Sequence, residues 1–117
     1  MTVASLVLAV LLAVGFAPLG VAKVMAVQEM RKRAEHTGFS VSGYRGIGAL
    51  ELAGAVGLLV GIAWWPLGAA AGLGLASMMV GALVTHLRIG DGPREFAPSI
   101  LIGSIAIAYV ATVFGAH

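Results

Sequence analysis

The stretch GYRGIGALELAGAVGLLVG, from Gly43 to Gly61, decides the fold of this chain. It is apolar and long enough to cross a bilayer as a helix, yet it carries one carboxylate, Glu51, in its interior. Inserting such a group costs about 2.5 to 3.5 kcal/mol unless the group faces protein, water or a partner. The sequence therefore predicts a membrane helix whose carboxylate has a polar partner at the same depth.

The composition places the whole chain in the membrane class. It has 117 residues, the size of one domain, of which 60% are hydrophobic and 10% charged. There is no cysteine, so the chain itself offers no disulfide, thiolate nucleophile or thiolate metal ligand. Its formal charge is +2, but the basic residues flank apolar segments, which favours orientation in a lipid bilayer over nucleic-acid binding.

Four apolar segments predict an all-α integral membrane protein, a four-helix transmembrane bundle that forms one domain over residues 1–117. Pro18 predicts a kink in the first helix. The polar stretch from Gln28 to His36 either continues this helix past the membrane or belongs to the connection that follows. We expect the helices at about residues 2–27, 44–63, 67–87 and 96–114, with a cytoplasmic loop at about residues 28–43.

The basic residues predict the orientation of the bundle. All seven lysines and arginines lie at or near the first and third connections between the predicted helices. By the positive-inside rule these two connections are cytoplasmic, so both termini lie outside. The seven residues are Lys23, Arg31, Lys32, Arg33, Arg45, Arg88 and Arg94.

This orientation brings three ionisable residues of three different helices to a similar depth in the cytoplasmic half of the bundle. They are Lys23 late in the first helix, Glu51 in the second and His86 at the end of the third. One hypothesis is a catalytic pocket in which Glu51 accepts a proton or anchors a ligand, His86 donates a proton or hydrogen bond, and Lys23 sets the charge of the carboxylate. The alternative is a buried polar network that only holds the helices together.

Four further residues near this group are candidates for ligand binding: Arg45, Gly48, Thr85 and Arg88. Arg45 lies about 120° around its helix from Glu51, which favours contact with headgroups or a neighbouring helix. Arg88 points almost opposite to His86 if the helix continues that far. No metal site is predicted, because one carboxylate and one internal histidine are too few for a closed site and no HExxH motif is present.

Several motifs together resemble the DoxX-like family of small bacterial membrane proteins. They are Gly20 and Lys23 late in the first helix, the segment RGIGALELAGAVGLL that begins at Arg45, and THLRIGD at the end of the third helix. The resemblance covers nearly the whole chain and implies a four-helix bundle in the bacterial cytoplasmic membrane. Relatives include subunits linked to thiosulfate:quinone oxidoreductase and membrane partners of oxidative-stress enzymes.

The residues and the resemblance together lead to one functional hypothesis and two alternatives. The hypothesis is that the chain binds a small lipophilic molecule, with a quinone as the expected ligand or cofactor, in a membrane redox system. It alternatively serves as a non-catalytic assembly or anchoring subunit, or as an acid/base isomerase or hydrolase for a lipophilic substrate. Small residues that recur along several helices also predict a homodimer.

Overall fold

The computed structural model describes residues 1–117 and consists of five helices with no strand. Four of these helices are long and apolar enough to cross a membrane. The all-α prediction is confirmed, and the membrane-spanning helices lie close to the predicted positions. The helices are α1 (Val3–Val24), α2 (Gln28–Thr37), α3 (Val41–Val60), α4 (Trp65–Arg88) and α5 (Pro93–Gly115).

The connection between the first two membrane helices contains α2, a short helix rather than a loop. It does not continue α1, because Ala26 has a left-handed backbone with φ of 51° and Val27 is extended. Met30 and Ala34 are buried, while the charged residues of α2 are exposed. Residues 28–43, predicted as a loop, therefore contain an amphipathic helix that packs on α1 and α3. The last residues of this segment already belong to α3.

Two arginines bond to the end of α1 at this break. The Nε of Arg45 donates to the carbonyl oxygen of Val24, and the Nε of Arg31 donates to that of Ala26, each at 2.9 Å. Val24 is the last residue of α1 and its carbonyl has no partner within the helix, so the guanidinium of Arg45 satisfies it and complements the helix dipole. Arg31 bonds to the break itself, beyond the helix. Arg45 thus contacts the neighbouring helix, as its angle from Glu51 had indicated.

The remaining helix ends follow from local sequence. Ser40 accepts a hydrogen bond from the backbone N–H of Gly43 at 3.0 Å and begins α3. Pro66 and Pro93 lie in the first turns of α4 and α5, where a missing N–H costs nothing. Pro18 lies inside α1, and the helix continues through it. These ends give the four long helices lengths of 20 to 24 residues, which match the thickness of a bilayer.

The four long helices form a ring in which each neighbour is antiparallel to the next. α1 packs on α3 and α5, and α4 also packs on α3 and α5. The core comprises small and apolar side chains, among them Phe16, Leu58, Leu75 and Tyr109. Large apolar side chains also point outward, as expected for a surface that faces lipid. The bundle is 41 Å long, comparable to a bilayer with its headgroups at about 40–45 Å.

The small-residue stripes of the sequence are used within the chain. A Cβ on Gly61 would meet the backbone of Gly68, and a Cβ on Gly72 would lie 2.9 Å from the ring of Tyr109. A Cβ on Gly54 would lie 2.7 Å from Leu75. These glycines therefore bring α3 to α4 and α4 to α5 within one molecule.

Candidate functional site

A buried ion pair joins α1 to α3. The Nζ of Lys23 donates a hydrogen bond to Oε1 of Glu51. Only 1% of the Glu51 side chain and 11% of the Lys23 side chain are exposed. The carboxylate that the sequence places inside a membrane helix therefore has its partner in the same bundle, which offsets part of the penalty of burying either charge alone.

Two glycines bring the backbones close enough for this pair. A Cβ on Gly20 would lie 2.9 Å from the carbonyl oxygen of Gly48, and a Cβ on Gly48 would lie 2.9 Å from that of Gly20. Each glycine precedes a member of the pair by three residues, Lys23 on α1 and Glu51 on α3. Residues three apart share one face of a helix, so the same contact aims both charged side chains at each other.

A cavity of about 280 Å³ opens beside the pair, between α3, α4 and the end of α2. Its polar lining comes from Lys23, Tyr44, Glu51, Thr85 and His86, with Thr37 at the end of α2. Such a mixture of apolar walls and a few converging polar groups is typical of a small-molecule site. The apolar and small residues that complete the lining are Phe39, Ile47, Leu50, Met78, Met79, Gly81 and Ala82.

An apolar groove of about 330 Å³ adjoins this cavity along the contact between α3 and α4. The groove and the cavity share two lining residues, Leu50 and Met78. No charged residue lines the groove, whose other walls are Ala53, Gly54, Gly57, Leu67, Ala71, Gly74 and Leu75. The surface between α3 and α4 thus offers a polar recess and an apolar one that have two wall residues in common.

The end of α4 turns back so that Asp91 meets His86. Gly90 has φ of 80°, and the backbone N–H of Asp91 donates to the carbonyl oxygen of His86 at 2.9 Å. This is the hydrogen-bond pattern of a Schellman motif, in which glycine adopts the left-handed conformation without a Cβ penalty. In this turn Nδ1 of His86 lies 2.6 Å from Oδ2 of Asp91.

Asp91 also contacts the last turn of α2. The Nε2 of His36 lies 2.9 Å from Oδ1 and 3.0 Å from Oδ2 of Asp91. The hydrogen bond from His86, and then the bond and charge of His36, hold the pKa of Asp91 below its usual range. One carboxylate therefore fastens α2 to the α4–α5 turn beside the cavity.

Comparison with known proteins identifies the family of this chain. The DoxX-like family matches residues 7–109, which include both members of the ion pair and the cavity. The chain belongs to the DoxX-like family. No significant match was found among curated proteins or among solved structures. Family membership and the four apolar helices together show a multi-pass membrane protein.

Four of the seven predicted site residues of this DoxX-like protein line one cavity: Lys23, Glu51, Thr85 and His86. The other three lie outside it. Gly48 packs against α1, Arg45 bonds to the end of that helix, and Arg88 is exposed at the end of α4. The structure thus brings the three predicted catalytic residues together, while their chemical roles stay predictions.

Several residues beside the cavity were not predicted as part of the site. The ring of Tyr44 lies 5.1 Å from Nζ of Lys23, which is a cation–π contact. His36 and Asp91 are 55 positions apart. A signal in the sequence existed only for the contact between His86 and Asp91, because their spacing across the glycine turn permits a contact without requiring it.

No group of three histidine, aspartate or glutamate residues is placed to hold a metal ion. The carboxylates near the cavity already accept hydrogen bonds from Lys23, His36 and His86. The side chains of the cavity can donate hydrogen bonds, stabilise charge and exchange protons.

Proposed function

We propose that this protein binds a small lipophilic molecule with a polar head, of the quinone class, as part of a membrane redox system. The observation that carries the proposal is the polar cavity that adjoins an apolar groove. A molecule with a polar head and an apolar tail matches this pair of recesses.

The size of the cavity supports a head group as its occupant. Sites that enclose whole small molecules begin at roughly 300 Å³, and this cavity has about 280 Å³. A single substituted ring suits that volume, whereas a long tail does not. The tail would leave past Leu50 and Met78, which both recesses share, and lie in the groove between α3 and α4.

The polar lining suits the oxygens of such a head. Quinone carbonyls only accept hydrogen bonds, so their site needs donors. An ammonium group carries three N–H bonds, and Lys23 uses one for Glu51, which leaves others to donate. His86 offers Nε2, the ring nitrogen that does not contact Asp91, and this nitrogen donates a hydrogen bond when the ring is protonated. When bound, a quinone supplies a group that takes up and releases electrons together with protons, and these side chains exchange the protons.

The electrons come from another protein in this proposal. The chain has no cysteine and therefore no dithiol couple of its own. We accordingly propose a membrane redox partner, and whether this chain catalyses a step or only presents the ligand depends on that partner.

We also place the end of the bundle that carries the basic residues in the cytoplasm, with both termini outside, in the bacterial inner membrane. Six of the seven lysines and arginines are exposed at or near that end, and the seventh is Lys23 in the ion pair. A homodimer also stays a prediction, because the stripes that suggested it pack within the chain. The molar mass of the purified protein in mild detergent tests it.

The function is tested by identifying the lipophilic molecules that co-purify from native membranes. Mass spectrometry would compare the wild type with Glu51→Gln and with Gly81→Leu. Gly81 lines the cavity, and its missing Cβ meets open space, so a leucine there occupies the cavity without disturbing the helix contacts. Gly15→Leu is the matched control, because Gly15 is equally open and lines neither recess.

We expect a defined quinone with the wild type and with Gly15→Leu, and its loss from Gly81→Leu. No defined molecule in any sample, with Gly15→Leu and Gly81→Leu as stable as the wild type, would contradict the proposal and favour an anchoring subunit. A bound lipid that is hydrolysed or isomerised without a redox partner would favour the acid/base enzyme.

A further inference from the structure

Asp91 is a carboxylate with two imidazole partners and no established role. It lies outside the membrane-spanning helices, in the turn between α4 and α5. Its side chain is 10% exposed, although it belongs to a polar turn. An aspartate that served only the turn would not need contacts with histidines of two different helices.

The protonation of the three groups follows from their contacts. The pKa of Asp91 is lowered chiefly by the hydrogen bond from His86, so the carboxyl group is ionised and only accepts hydrogen bonds. The hydrogen in each contact therefore belongs to the imidazole. His86 donates through Nδ1 at 2.6 Å, and His36 donates through Nε2 at 2.9 Å.

This fixes which nitrogen of His86 is available to the cavity. A neutral imidazole carries one N–H, so a ring whose Nδ1 is protonated has Nε2 as an acceptor. His86 lines the cavity while its Nδ1 is used by Asp91, outside the cavity lining. Nε2 is the nitrogen that remains for a ligand.

We propose that Asp91 is the positioning residue that holds His86 as the Nδ1–H tautomer and presents Nε2 to the cavity, with His36 tying this arrangement to α2. Its significance for a ligand rests on the proposed function of the cavity. When the ring of His86 is protonated, its Nε2–H can donate to a ligand oxygen while its Nδ1–H stays hydrogen-bonded to the carboxylate.

The end of α2 helps to form the site, although no charged residue of α2 lines the cavity or the groove. The end of α2 supplies Thr37 to the cavity, and Gly38, with φ of 83°, turns the chain so that Phe39 also lines it. His36 is the neighbour of Thr37 and bonds to Asp91. Neighbouring residues at the end of α2 therefore line the cavity and bond to the carboxylate that orients His86.

The direct test needs no ligand. Wild type labelled with ¹⁵N-histidine would be compared at mildly alkaline pH with Asp91→Ala, Asp91→Asn and His36→Ala by NMR of the ring nitrogens. The signals of His86 are those that disappear in His86→Gln. We expect the Nδ1–H tautomer in the wild type, in Asp91→Asn, which keeps an acceptor oxygen, and in His36→Ala. In Asp91→Ala we expect a mixture with the Nε2–H form.

A persistent Nδ1–H tautomer in Asp91→Ala would overturn the inference. So would equal loss of that tautomer in His36→Ala, because the effect would then follow from a displaced turn rather than from the carboxylate. The far-ultraviolet circular dichroism and detergent elution volume of each variant establish that the helices are intact before the spectra are compared.

A second arm connects Asp91 to ligand binding. The probe is a ubiquinone head with a decyl tail, and its affinity is measured by quenching of tryptophan fluorescence. We expect about tenfold weaker binding to Asp91→Ala, the equivalent of one charge-assisted hydrogen bond, and a smaller loss in Asp91→Asn. Unchanged binding to Asp91→Ala would count against the inference. Absence of binding to the wild type would count against the proposed function, and the ring-nitrogen result would still decide the role of Asp91.

Discussion

Gly20 of α1 and Gly48 of α3 face each other so closely that a Cβ on either would lie 2.9 Å from the carbonyl oxygen of the other. Three residues beyond each glycine stands one member of the Lys23–Glu51 pair. The contact between two glycines therefore determines where the ion pair lies, and the pair in turn forms the polar edge of the cavity. The packing of α1 on α3 and the position of the ion pair at the cavity therefore depend on the same two glycines.

Substituting Gly48 with alanine tests this coupling. The new Cβ would lie 2.5 Å from that of Lys23, so we expect a loss of about 1 to 3 kcal/mol in unfolding free energy from overpacking. Gly46→Ala is the matched control on the same helix, because nothing lies within 4 Å of its Cβ. Unfolding in mixed micelles of mild detergent and dodecyl sulfate measures the unfolding free energy of both variants. Equal stability of the two variants would contradict the packing account.

The ion pair predicts a non-additive mutant cycle. Glu51→Met or Lys23→Met alone leaves a buried charge without its partner, and we expect each to cost about 3 to 5 kcal/mol. The double variant removes both charges, so we expect it to be more stable than either single variant. Purely additive losses would show that the two groups do not interact.

An exposed pair provides the comparison for that cycle. Arg33 and Glu29 lie 3.5 Å apart on α2 with half or more of each side chain exposed. Their coupling is expected at about 0 to 1 kcal/mol, because water screens exposed charges. The same unfolding assay applies to both cycles, so the difference in burial is the variable tested.

The lowered pKa of Asp91 predicts an acid dependence of stability. Its contribution is fully present above the ordinary aspartate pKa of about 3.9 and is lost as the pH falls through the lower pKa of the folded protein. The wild type should therefore exceed Asp91→Asn in stability at about pH 5, and the difference should shrink as the pH falls towards about 3. Thermal unfolding of both proteins across this range measures it. A difference that grows on acidification would contradict the assigned ionisation.

The absence of cysteine makes the predicted orientation directly measurable. Ser42→Cys places a thiol at the basic end of the bundle, and Ala116→Cys places one beyond α5. In intact bacterial cells, a membrane-impermeant maleimide should label the cysteine at position 116 but not that at position 42. Disruption of the cells should expose both. Labelling of position 42 alone in intact cells would reverse the orientation.

Much of the fold could be predicted from the sequence because the apolar segments must each reach across a bilayer. The charge in the interior of α3 also demanded a partner, which restricted the search to the few ionisable residues at similar depth. Lys23 and His86 were identified in this way; Lys23 bonds to Glu51, and all three residues line the cavity.

The remaining features depend on local geometry that residue patterns do not specify. The left-handed Ala26 separates α2 from α1, although alanine favours helices and gives no sign of a break. The glycine turn after α4 was evident, but its folding back onto His86 was not. Gly48 was named as a candidate for ligand binding, and the structure shows in addition that α1 approaches closely at this glycine.

The central claim is that one molecule places its head in the polar cavity and its tail in the adjoining groove. Binding of two probes, the ubiquinone head with a decyl tail and the same head without a tail, should be measured with the wild type, Gly81→Leu and Gly74→Leu. Gly81 lines the cavity and Gly74 lines the groove, both on α4 and both with open space at the missing Cβ. We expect Gly81→Leu to weaken both probes and Gly74→Leu to weaken only the tailed one. Wild-type affinity for both probes in Gly81→Leu would contradict the claim.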